Sequence, residues 1–139
     1  MSHVFVSSFL RRVLAADALI SGVVGAVVAL GGTGLQSWLH LPVGLLVPAG
    51  LGLLGYAAWV VWLSRQDSVP RAAVWFAIAC NLVWAVDCVA TAAGPWFEPN
   101  LLGEVFLGVQ VVTVLVLAEL EFVGLRRSGS AHVGPGQPV

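Results

Sequence analysis

Residues 43–93 read VGLLVPAGLGLLGYAAWVVWLSRQDSVPRAAVWFAIACNLVWAVDCVATAA, and this stretch decides the fold. On either side of Ser64-Arg65-Gln66-Asp67-Ser68-Val69-Pro70-Arg71 lies an apolar run of about twenty residues, enough for a helix to cross a bilayer core. The polar link is short, so these two runs make an antiparallel hairpin. Working outward, a third run, Val13–Leu30, stops at Gly31-Gly32-Thr33-Gly34. A fourth, Leu101–Leu125, follows the two-proline segment Gly94-Pro95-Trp96-Phe97-Glu98-Pro99-Asn100.

The expected fold is therefore all-α: an integral membrane bundle of four transmembrane helices, with spans about 13–30, 43–63, 72–93 and 101–125. Composition agrees. Of 139 residues, 59% are apolar and 9% charged, whereas a soluble domain carries about 25% charged residues. Mean hydropathy is +0.97. The four-helix domain occupies 1–127, and the Gly-, Ser- and Pro-rich stretch 128–139 reads as a disordered cytoplasmic tail. Residues 3–10 read as the start of the first helix or as an interfacial segment before it. The run after Arg11-Arg12 has the outline of a signal peptide, but Asp17 interrupts it and it is long for that role. Cleavage would leave three spans.

All six basic residues are arginines: Arg11 and Arg12, Arg65 and Arg71, Arg126 and Arg127. The segments 31–42 and 94–100 contain none, so the positive-inside rule predicts an N-in/C-in orientation. Trp38 and Trp96 read as belt residues on the outer side, and Trp62 and Trp75 on the inner. Cys80 and Cys88, separated by about 12 Å of helix, are too far apart for a disulfide.

Ionisable groups at bilayer depth cost about 2.5–3.5 kcal/mol on insertion scales, so each is a functional candidate. Asp17, Glu119 and Glu121 lie about a turn inside the arginine boundary. Interfacial pairing with those arginines is the plain account, and a carboxylate cluster carrying protons or binding a cation is the sharper one. Glu104 follows Asn100, an expected N-cap, and suits the helix dipole. Asp87 has no basic residue on its side of the membrane, and it shares a helical stripe with Cys80, Trp84 and Thr91. Asn81 and Gln110 fall near the midplane, where a hydrogen bond between them is expected. These residues suggest a polar ladder between spans 3 and 4.

Small residues form two strips: Ala18, Gly22, Gly25, Ala29 and Gly32 on span 1, and Gly44, Pro48, Gly52 and Gly55 on span 2. Contact within the bundle is the first expectation and a dimer face the second. No inverted repeat of the transporter kind relates the two halves. His3, His40 and His132 lie outside the spans, which argues against a two-histidine haem. Cys88 points about 100° from Asp87, against a metal site. Nucleophile, phosphate-loop and zinc-protease motifs are missing, as is a basic surface for nucleic acid. No catalytic residue and no cofactor is expected.

The segments Leu10-Arg11-Arg12-Val13-Leu14-Ala15-Ala16-Asp17-Ala18, Ala79-Cys80-Asn81-Leu82-Val83-Trp84-Ala85-Val86-Asp87, Ala118-Glu119-Leu120-Glu121 and Gly124-Leu125-Arg126-Arg127 resemble a group of short four-helix membrane proteins of Gram-negative bacteria that have no assigned function. The resemblance implies an inner-membrane location and transfers no catalytic residue. Two functions fit. One is a non-enzymatic, oligomerising or accessory subunit of a larger membrane complex. The other is a small proton- or cation-linked transporter or channel, which would have to act as a dimer or higher oligomer because four helices enclose side chains and no pore.

Overall fold

The computed structural model describes residues 2–128. Four helices are long and apolar enough to cross a membrane: α1 (Ser8–Leu30), α3 (Val43–Ser64), α4 (Arg71–Ala93) and α5 (Leu101–Arg127), with a short α2 (Gly32–Leu39) between the first two. Their ends follow local chemistry. Ser7 Oγ accepts from Leu10 N–H at 3.2 Å, and Asn100 Oδ1 accepts from Gly103 N–H at 2.8 Å, the N-cap expected there. Pro42 and Pro70 precede α3 and α4, where the residue before a helix needs no N–H of its own. Gly32 takes a positive φ of 50°, which turns the chain from α1 into α2.

Two segments depart from expectation. The segment 31–42, expected only as the arginine-free link after the first span, is largely the helix α2. At the N-terminus Ser8–Leu10 do begin α1, but the residues before them form a strand: β1 (His3–Phe5) pairs antiparallel with β2 (Ser68–Pro70), and Val4 faces Val69. Val6 N–H donates to Asp67 O and Arg71 N–H to Ser2 O, both at 2.9 Å. This ribbon satisfies the backbone groups of the loop and covers the bundle end, with Val4 and Val69 buried. The tail expected at 128–139 lies, beyond Ser128, outside the described residues.

Arg11 fastens the same end. Its guanidinium donates to Ser64 O at 2.6 Å and Gln66 O at 3.1 Å and approaches Asp67 at 3.6 Å, the only ion pair among the described residues. Charge-assisted bonds to two carbonyls are worth about 1.5–3 kcal/mol each when sheltered, and less here because Arg11 is partly exposed. Arg11→Ala should cost about 1–2 kcal/mol, read as a lower midpoint of unfolding in mild detergent titrated with SDS. Asp67→Ala, which removes only an exposed partner, should cost much less.

Packing follows chain order in pairs: α1 lies closely along α3 and α4 along α5, with α1 touching α5 between the pairs. The α1–α3 contact is made backbone to backbone. A Cβ on Gly50 would strike the Ala29 and Gly25 backbones, and one on Gly25 would meet Leu53 Cβ at 2.9 Å and Gly50 O at 3.0 Å. Gly22 and Gly25 of the first expected strip therefore serve inside the bundle. The second strip does not: Gly44, Gly52 and Gly55 have nothing within 4 Å of an added Cβ, and Pro48 is exposed beside them. The small residue that α3 turns to α1 is Gly50, which the strip omitted.

Buried apolar side chains gather at both ends, around Leu10, Leu14, Leu63 and Leu125 at the arginine-rich end and around Val28, Leu41, Leu46 and Leu107 at the other. Between α3 and α4 the backbones scarcely approach. That gap positions the site.

Candidate functional site

Each spanning helix sends one or two polar side chains to a common point in the arginine-proximal half. On α1, Asp17 and Ser21 stand one turn apart, and Ser21 Oγ donates to Asp17 Oδ1 at 3.0 Å. On α3, the hydroxyl of Tyr56 donates to Asp17 Oδ2 at 2.6 Å. On α4, Asn81 Nδ2 lies 3.1 Å from Asp17 Oδ2 and 3.2 Å from Glu121 Oε2, the latter brought in by α5. Asp17 and Glu121 are both 0% exposed.

The electrostatics are unbalanced. Asp17 is fully served, by Ser21, Tyr56 and Asn81. Glu121 has only the Asn81 amide, and its Oε1 is buried with no partner. The two carboxyl groups are close enough to hydrogen-bond to each other once one of them carries a proton. No arginine reaches them. Arg11 is held by Ser64, Gln66 and Asp67, while Arg126 lies over the Phe122 ring and Arg127 over the Phe9 ring, 5.7 and 5.2 Å from the centroids. Two buried carboxylates in contact with one amide cannot both stay charged without a compensating cation, since burying unpaired charge costs far more than any of these bonds returns.

Interfacial ion pairing is thus overturned for Asp17 and Glu121. Glu119, two residues before Glu121 on α5, is exposed and takes no part. The expected Asn81–Gln110 bond is absent, because Asn81 faces α1 and α5 while Trp84, one turn along α4, stands opposite Gln110. Trp84 Nε1 donates to Gln110 Oε1 at 3.3 Å. Asp87 and Glu104 are both exposed and not joined, so the ladder between spans 3 and 4 becomes one convergence of all four helices. Tyr56 and Ser21 were not singled out from the sequence. Ser21 stood at the i+4 position from Asp17, and Tyr56 lies within about one turn of Asp17 and Asn81 in depth, counted from the arginine-rich end.

Two cavities run along the α3–α4 gap. One of about 240 Å³ touches Ser21, Tyr56, Asn81 and Gln110 directly above the node. The other, about 380 Å³, lies toward the α2 end and is lined by Asp87 and Thr91 among aromatic side chains. Trp84 borders both. The expected stripe of Cys80, Trp84, Asp87 and Thr91 lines this cleft, Cys80 on the lower cavity and Thr91 on the upper. Both cysteines are free thiols. Trp59 packs edge-on against Phe76 at 5.3 Å, a contact between α3 and α4. No group of three metal-ligating His, Cys, Asp or Glu side chains exists among the described residues.

No protein-family model, curated protein or solved structure matches the chain. The multi-pass membrane character follows from the four apolar helices.

Proposed function

We propose that this chain is a small proton-linked carrier of the bacterial inner membrane, non-enzymatic, with both ends in the cytoplasm, working as a dimer or higher oligomer. The observation that carries the reading is the Asp17–Glu121 pair: two fully buried carboxyl groups, supplied by the first and last spans and bridged by Asn81, with no arginine in reach. Such a pair needs a positive charge. Its neighbours choose which, because Ser21, Tyr56 and Asn81 present O–H and N–H donors, whereas a metal ion takes oxygen lone pairs. A proton fits.

The cleft supports the same reading. It brings the lower cavity to the node from one side, so loading of the cleft and protonation of the pair can influence each other through Tyr56 and Asn81. The arginine distribution supports the orientation, and the resemblance to short Gram-negative membrane proteins supports the location.

The accessory-subunit reading draws on a different observation. The face of α3 carrying Gly44, Pro48, Gly52 and Gly55 is uncovered, and small residues in a membrane permit close helix approach. The same face would serve the carrier's own oligomer.

The test is proton flux into liposomes containing the purified chain, followed with an entrapped pH-sensitive dye under an imposed potential. Asp17→Asn and Glu121→Gln should each lower the flux about tenfold or more, equivalent to about 1.4 kcal/mol on the limiting barrier. Equal flux in all three proteins, or none in the wild type, overturns the carrier and leaves the subunit.

A further inference from the structure

The upper cavity is built unlike the node. Its only charged lining group is Asp87, an exposed residue, and its lining includes the aromatic side chains of Trp84, Trp96, Phe97 and Phe106. The Asp87 side chain takes part in no hydrogen bond and no ion pair among the described residues. Thr91, the nearest hydroxyl along the helix, spends its proton on the Asp87 backbone carbonyl at 2.7 Å. Every arginine sits at the opposite end of the bundle, while Glu98 and Glu104 stand at this one, so the whole end is acidic.

We infer that this cavity binds an amphiphilic organic cation, an amine or quaternary ammonium group carried on an apolar body, with Asp87 as the counter-ion and the aromatic side chains around the cationic head. Each part of the lining argues for that class. A carboxylate in an apolar wall at membrane depth is costly unless neutralised, and the protein supplies no basic partner. Tryptophan and phenylalanine faces attract cations through the ring quadrupole, most effectively poorly hydrated ones. An inorganic cation is disfavoured: it would need several oxygen ligands, and the side chains lining the cavity offer only one carboxylate and one threonine oxygen. An anion is repelled. A volume of about 380 Å³ is at the small end of pockets that enclose organic ligands.

This deepens the carrier reading by naming its substrate class, but binding is scored without transport. The probe is benzyltrimethylammonium, titrated calorimetrically into the purified full chain in mild detergent, with uncharged neopentylbenzene of the same shape as control. Saturable binding of the cation is expected, weakened about tenfold or more by Asp87→Asn and by Trp84→Ala, while the neutral compound binds feebly and alike in wild type and Asp87→Asn. Asp87 makes no side-chain bonds, so its asparagine variant should fold, which gel filtration checks. No saturable binding by wild type, or equal cation affinity in Asp87→Asn, overturns the site. Cation binding without proton flux would remove the carrier and keep the site; flux without cation binding would do the reverse.

Discussion

Asn81→Leu is expected to be the most destabilising substitution at the polar node, costing about 3 kcal/mol or more. Among the described residues Asn81 is the only amide or hydroxyl donor to Glu121 and one of three donors to Asp17. Its removal leaves Glu121 with no partner but the other acid and brings an apolar side chain against both. Polar contacts between membrane helices often contribute only about 0.6 kcal/mol, because the separated helices find other partners. That discount does not rescue this node: Asp17 and Glu121 in separated helices can reach toward the arginine-rich interface, whereas folding draws them to full burial. Glu121→Gln provides the contrast. A glutamine keeps the oxygen that accepts from Asn81 and removes the second acid, so it should be neutral or stabilising. Unfolding in detergent titrated with SDS separates the two outcomes; equal losses in Asn81→Leu and Glu121→Gln would defeat the claim that surplus charge is the node's weakness.

The sequence announced the four spans because hydropathy over twenty residues is set by the solvent, whichever way the helices pack. It named Asp17, Asn81 and Glu121 for the same reason, since acid or amide at that depth is expensive wherever it points. It could not say that they meet. That depends on helix rotation, and in an almost uniformly apolar helix such as α3 no amphipathic pattern reveals the buried face. Tyr56 shows the consequence: a lone tyrosine among Gly, Ala, Leu and Trp looks like one more aromatic, although its hydroxyl makes the shortest bond to Asp17.

The N-terminal ribbon leaves no trace in the sequence for another reason. Three residues per strand are too few for an alternation to register, and the partner segment Ser68-Val69-Pro70 ends in a proline, which marks turns and edges alike. In the sequence Asp87 stands out because every arginine lies at the other end of the spans. What the sequence withheld was the cavity Asp87 shares with aromatic side chains, because Trp96 and Phe97 come from the loop before α5 and Phe106 from α5 itself.

The glycine pattern yields the second large effect. Gly50→Leu should abolish the α1–α3 contact: its Cβ alone would overlap the Ala29 and Gly25 backbones, and no rotamer removes a Cβ. Overpacking of a well-fitted core costs about 1–3 kcal/mol when side chains can yield. Here the obstacle is backbone, so the helices must separate, taking Tyr56 away from Asp17 with them, and little folded protein should remain in the monomer fraction on gel filtration. Gly55→Leu, five residues along the same helix, meets nothing and should leave the unfolding midpoint within about 0.5 kcal/mol of wild type. Because Gly55 lies on the uncovered face, its substitution reports instead on self-association. Loss of a dimer band with an unchanged unfolding midpoint would mark that face as the contact between copies, and an unchanged dimer would move the interface elsewhere. If Gly50→Leu folds as well as Gly55→Leu, then α1 and α3 do not approach through Gly25 and Gly50, and the geometry that delivers Tyr56 to the carboxyl pair fails with them.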